Sequence, residues 1–137
     1  MSTPLHPIDT PPPKSTGGFE RLQKAWANSV RGLSLAFRGE KAFRQEVAIA
    51  AVLVPLAFWV GRSWVEVALL CASVWLVMIV ELLNSAIEAA IDRIGPERHE
   101  LSGRAKDVAS AAVWMSLVLC GGIWAAALWA RFHTGLS

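Results

Sequence analysis

Apolar residues recur along this chain in four blocks, and the first has helical spacing. Between Phe19 and Arg38 they fall at Phe19, Leu22, Trp26, Val30, Leu33 and Phe37, in steps of three or four that line one helix face. Arg21, Lys24, Arg31 and Arg38 occupy the other faces. A basic helix with Trp and Phe on its apolar side suits a membrane surface, and the plainer alternative is a helix packed on a soluble core. Three longer runs follow, Val47 to Gly61, Val67 to Val80 and Val108 to Ala130, and none carries a charge. A bilayer core of about 30 Å needs roughly 20 apolar residues in a helix. The third run meets this alone; the first two meet it if their helices continue into flanking residues. The pattern predicts an all-α membrane protein, with a surface helix over about 19–38 and spans over about 42–61, 64–92 and 107–131. Pro55 falls inside the first span, where lipid tolerates it as a kink.

Composition supports this reading. At 137 residues, 54% hydrophobic and 18% charged, the chain suits one domain but has too few polar residues to cover a soluble one. Residues 1–17 hold Pro4, Pro7, Pro11, Pro12 and Pro13 and are predicted to be a disordered tail, without the apolar core of a signal peptide. The membrane domain then occupies 18–137. The 2 cysteines, Cys71 and Cys120, lie within spans and read as small apolar core residues rather than a redox or metal pair.

Charge gives the orientation. Of the 13 Lys and Arg, only Arg62 and Arg131 lie on the side of the first interspan turn and the carboxyl terminus. The rest flank the amino terminus and the 93–107 segment, which places both in the cytoplasm and the carboxyl terminus outside. Trp59, Trp64 and Trp129 then fall at the outer interface, where amphipathic rings are favoured.

One stretch breaks the apolar pattern. Glu81, Asn84, Glu88 and Asp92 lie in the cytoplasmic half of the second span. At 100° per residue, Glu88 and Asp92 fall about 20° either side of Glu81, and Asn84 falls about 60° away. Ionisable groups within a span cost roughly 2.5–3.5 kcal/mol each, so an aligned set points to a function more than to a structural contact. Carboxylates and an amide oxygen are hard donors that suit Mg²⁺, which is normally held by one or two carboxylates plus substrate phosphates. Glu81 and Glu88 stand about 10 Å apart along the axis, which suggests a division of labour. Glu88 would hold a metal-bound nucleotide, and the deeper Glu81 would meet something dissolved in lipid. Two more polar clusters, Glu40-Lys-Ala-Phe-Arg44-Gln45-Glu46 and the loop Glu97-Arg98-His99-Glu100 through Arg104, Lys106 and Asp107, are expected at the same membrane face. There is no Walker loop, no zinc-protease helix and no kinase glycine-rich loop.

The run Val80-Glu-Leu-Leu-Asn-Ser-Ala-Ile-Glu-Ala-Ala-Ile-Asp-Arg-Ile-Gly95, with His99-Glu-Leu-Ser-Gly-Arg-Ala-Lys-Asp107 and Ser110-Ala-Ala-Val113, resembles the prokaryotic integral-membrane diacylglycerol kinases. Gly18-Phe-Glu-Arg21 and Glu40 to Glu46 match as well, so the likeness covers about residues 17–132. It implies a homotrimeric enzyme of the bacterial inner membrane that moves the γ-phosphoryl of Mg-ATP to diacylglycerol, giving phosphatidic acid. It implies Glu81 as the general base, Glu40 and Glu88 as ligands of the divalent metal, and Asn84 as their support, with Asp92 on the same face. It further implies nucleotide contacts at Arg21, Asn28, Glu40, Glu88, Glu97, Arg98, His99, Lys106 and Asp107. Asn28 stands where the best-known family member has Tyr, and Arg98 likewise replaces an aromatic. It also implies lipid-side positions at Arg21, Ser29, Arg44, Gln45, Glu46, Trp59, Glu81, Ser110, Trp124 and Trp129. Sites shared between chains would explain how so short a chain builds them, and no nucleic-acid partner is expected. The competing readings are an undecaprenol kinase of the same family and a non-enzymatic channel or assembly subunit whose acidic face lines an ion path.

Overall fold

The structure, a computed structural model, describes residues 17–95 and 99–133. The tail expected over 1–17 lies outside them except for Gly17. Four helices follow in order: α1 (Gly18–Gly39), α2 (Lys41–Val60), α3 (Trp64–Ile94) and α4 (Glu100–His133). The last three are long and apolar enough to cross a membrane. The chain divides into two compact units between Ser34 and Leu35.

The first unit holds most of α1, a helix with no buried residue. Phe19, Leu22 and Trp26 are all exposed along it. Glu20 and Lys24, one turn apart, pair at 2.5 Å.

In the second unit α3 packs on both α2 and α4. The core gathers Ala50, Ala57 and Val60 of α2, Val67, Leu70 and Val74 of α3, and Trp124 of α4. Small residues let α2 approach closely. Gly61 closes the turn into α3, where an added Cβ would lie 2.6 Å from Val67 Cγ2. Ser63 caps α3 by accepting from Glu66 N at 3.2 Å, and the Glu66 carboxylate accepts from Arg62 N at 2.7 Å. Pro55 sits inside α2 without ending it. The hydroxyls of Ser73 and Ser116 donate to the carbonyls of Leu70 and Val113, both at 2.7 Å, which satisfies them within their own helices. Cys71 and Cys120 are free thiols, and Cys120 Sγ lies 3.5 Å from Ser73 Oγ.

The outward faces are strongly apolar. Ile49, Val52, Phe58, Leu69, Trp75, Trp114 and Met115 are all exposed, a surface that water penalises and lipid accepts. The structure departs from the sequence reading at α4. The cluster expected in a loop up to Asp107 is helical from Glu100 onward, so Lys106 and Asp107 sit on the second turn of a helix. Charge alone does not end a helix, and no Pro or helix-stopping turn falls between Glu100 and Asp107.

Candidate functional site

The four polar residues of α3 form a gradient. Glu81 is buried at 6% exposure, Asn84 and Glu88 are half-buried, and Asp92 is exposed. Asn84 Nδ2 donates to Glu88 Oε1 at 3.3 Å, one helical turn on. Asn84 Oδ1 is buried and has no partner. A buried acceptor left without a donor is costly and marks a place for an incoming one.

Other carboxylates converge on Glu81. Glu40 immediately precedes α2, and its charge and that of Glu88 both act on Glu81. Glu46, further along α2, also interacts electrostatically with Glu81, and its Oε2 is buried without a partner. Acids brought together in an apolar bundle repel one another unless a cation or protons neutralise them. Among the described residues, no three His, Cys, Asp or Glu side chains form a metal cage by themselves.

From α4, Lys106 Nζ donates to Asp92 Oδ1 at 2.5 Å. At the start of α4, His99 Nδ1 accepts from Leu101 N at 3.2 Å. Asp107 and Ser110 are exposed on α4. Arg44 Nη1 donates to the carbonyls of Phe37 and Arg38 at 3.3 and 3.2 Å, tying α2 to the end of α1, and Gln45 is exposed. Glu97 and Arg98 lie outside the described residues. Arg21, Asn28 and Ser29 belong to the first unit, where Ser29 Oγ donates to Ala25 O at 2.9 Å.

Trp59, Trp64, Trp124 and Trp129 lie toward the opposite end of the bundle, on the side of the Gly61 turn. Trp59 carries the Arg131 guanidinium 5.5 Å from its ring centre, and Trp129 stacks on His133 at 3.7 Å. Trp124 is turned into the core at 7% exposure. The structure thus gathers Glu40, Glu46, Glu81, Asn84 and Glu88, joins Asp92 to Lys106, and sets these tryptophans apart from them.

Sequence reasoning missed a groove. A cavity of about 760 Å³ opens between α3 and α4, walled by Leu83, Ile87, Leu101 and Val108, with Asn84 and Arg104 as its polar members. Periodicity places each residue on its own helix but says nothing of the gap between two helices. The Asp92–Lys106 pair was equally hidden, because 14 residues and a turn separate its partners.

Three helices able to cross a membrane, with carboxylates gathered at one end, define a small multi-pass membrane protein with a polar site set into its bundle. Comparison with known proteins narrows this class. The pattern of the prokaryotic diacylglycerol kinase family matches residues 27–128, and the chain belongs to that family. It is 50% identical over 109 residues to a diacylglycerol kinase of Haemophilus influenzae, covering 80% of this chain and 92% of the relative. A diacylglycerol kinase of Escherichia coli is 49% identical over 118 residues, covering 86% and 97%. One from Pseudomonas aeruginosa is 48% identical over 117 residues, covering 85% and 95%. With its three apolar helices and bacterial relatives, the chain is a bacterial membrane protein.

Proposed function

We propose that the protein is an ATP-dependent diacylglycerol kinase. The observation that carries this reading is the near 50% identity to diacylglycerol kinases over most of the chain. The α3 face supplies a chemical rationale. Phosphoryl transfer needs positioning and charge neutralisation more than covalent help from the protein. Glu81, the deepest carboxylate, accepts the proton of the lipid hydroxyl. The hydroxyl oxygen bonds to the γ-phosphorus, the bridging P–O bond to the β-phosphate breaks, and ADP leaves.

Mg²⁺ fits the donors present. They are oxygens only, Glu40 and Glu88 with the unpartnered Asn84 Oδ1 nearby, and they fall short of a cage without substrate phosphates. When bound, the ion would neutralise phosphate charge and relieve the repulsion among the carboxylates. On this reading Glu97, Arg98, His99, Lys106 and Asp107 contact the nucleotide, with Glu97 and Arg98 outside the described residues. Arg21, Asn28 and Ser29 also contact the substrates on this reading, and a basic helix with Trp and Phe on its apolar side suits the membrane surface. The site end faces the cytoplasm, where ATP is found, and the carboxyl terminus lies outside, in accord with the Lys and Arg distribution. A homotrimer, with sites shared between chains, fits the large apolar area each chain leaves exposed.

The test is a choice of acceptor. Purified protein in lipid micelles receives Mg-ATP and equal mole fractions of diacylglycerol and undecaprenol. Phosphatidic acid should dominate. Preferential phosphorylation of undecaprenol would reassign the substrate, and failure to phosphorylate either would defeat the kinase reading.

A further inference from the structure

The Asp92–Lys106 pair is joined across two helices and stands at the outer edge of the acidic face. Asp92 lies one turn beyond Glu88 on α3, and Lys106 reaches it from the second turn of α4. The side chains are 67% and 39% exposed. An ion pair so open to solvent adds little to stability. Its effect lies in where it puts the lysine. A free lysine side chain samples many rotamers, and fixing one costs conformational entropy. Here Asp92 meets that cost before any ligand arrives. It holds the ammonium over the face of α3, where the charge of Glu88 also acts on it. One of the three ammonium N–H groups goes to Asp92, which leaves donors for a second anion. Nothing else on α4 brings a cation to Glu88 by a contact of this kind among the described residues.

We propose that Asp92 is a positioning residue for nucleotide binding: it presets the Lys106 ammonium beside Glu88 to receive the polyphosphate of Mg-ATP. This rests on the kinase reading of the same site. Asp92 touches no reacting atom and acts through Lys106. Loss of the carboxylate therefore weakens nucleotide capture and leaves the chemical step alone.

The experiment uses the full chain in lipid micelles with saturating diacylglycerol and varied Mg-ATP. Asp92→Asn should raise the KM for Mg-ATP by roughly three- to tenfold, the entropic cost of ordering one long side chain expressed as affinity. Turnover at saturation should change by less than about twofold, since the transition-state contacts are kept. The thermal midpoint should stay put. Asp92→Glu, which keeps the charge, should restore most of the affinity. In a Lys106→Ala background, Asp92→Asn should have no further effect on KM, because its only route of action is gone. An unchanged or lowered KM in Asp92→Asn overturns the proposal, as does an equal loss in the Lys106→Ala background. Loss of the folding transition in both Asp92 variants would mark the pair as structural and overturn it too. Direct binding of a fluorescent ATP analogue to the same variants reads the proposal without turnover. A wild-type protein that binds the analogue but phosphorylates no lipid would defeat the kinase reading separately.

Discussion

Gly61→Ala should destabilise the bundle through sterics alone. The Gly61 backbone lies at φ −67° and ψ 135°, a conformation open to any residue, so the substitution brings no torsional penalty. The obstacle is space. The new methyl would sit 2.6 Å from Val67 Cγ2 and 3.0 Å from both Val67 N and Ala57 O. Two of these three atoms are backbone, and the third belongs to a β-branched side chain, stiff in a helix and only 8% exposed. Val67 cannot swing away, so the α2–α3 turn must open. Overpacking of this kind costs typically about 1–3 kcal/mol. Gly32→Ala is the control. A Cβ at Gly32, inside α1, meets nothing within 4 Å, and exchanging an interior helical Gly for Ala gains roughly 0.5–1 kcal/mol. Thermal unfolding in lipid micelles, followed by circular dichroism, should show Gly61→Ala melting several degrees below wild type and Gly32→Ala at or above it. An unchanged midpoint for Gly61→Ala would refute the account of close approach at this turn.

Two further predictions concern the cap and the site. Ser63→Ala removes the acceptor for Glu66 N and should lower stability by about 1 kcal/mol, read in the same melts. Glu88→Ala should raise the KM for Mg-ATP and shift the Mg²⁺ dependence to higher concentration; a wild-type metal titration would exclude it as a ligand.

Much of this molecule was legible in its sequence because lipid imposes a simple rule. A helix crossing apolar surroundings must be apolar throughout, so α2, α3 and α4 stand out as runs, and the exceptions on α3 stand out against them. Constant helical geometry then aligned Glu81, Asn84, Glu88 and Asp92 from numbering alone. Three features were hidden because they depend on how separate helices meet. The convergence of Glu46 on Glu81 needs the packing of α2 on α3. The Asp92–Lys106 pair needs α4 to begin at Glu100, although the polar residues before Asp107 read as a loop. The resemblance implies lipid-side roles for both Trp124 and Trp129, yet one helical turn and a fraction separate a core position from an exposed one.

Glu81 tests the central claim most directly. Glu81→Gln keeps the shape of a side chain that is 6% exposed but removes its capacity to accept a proton. With γ-labelled Mg-ATP and diacylglycerol in lipid micelles, wild type should move label into phosphatidic acid. The variant should lose roughly 10²–10⁴-fold in turnover, the usual contribution of a positioned base, while binding nucleotide within about twofold of wild type. Label transfer by Glu81→Gln at the wild-type rate would contradict the account.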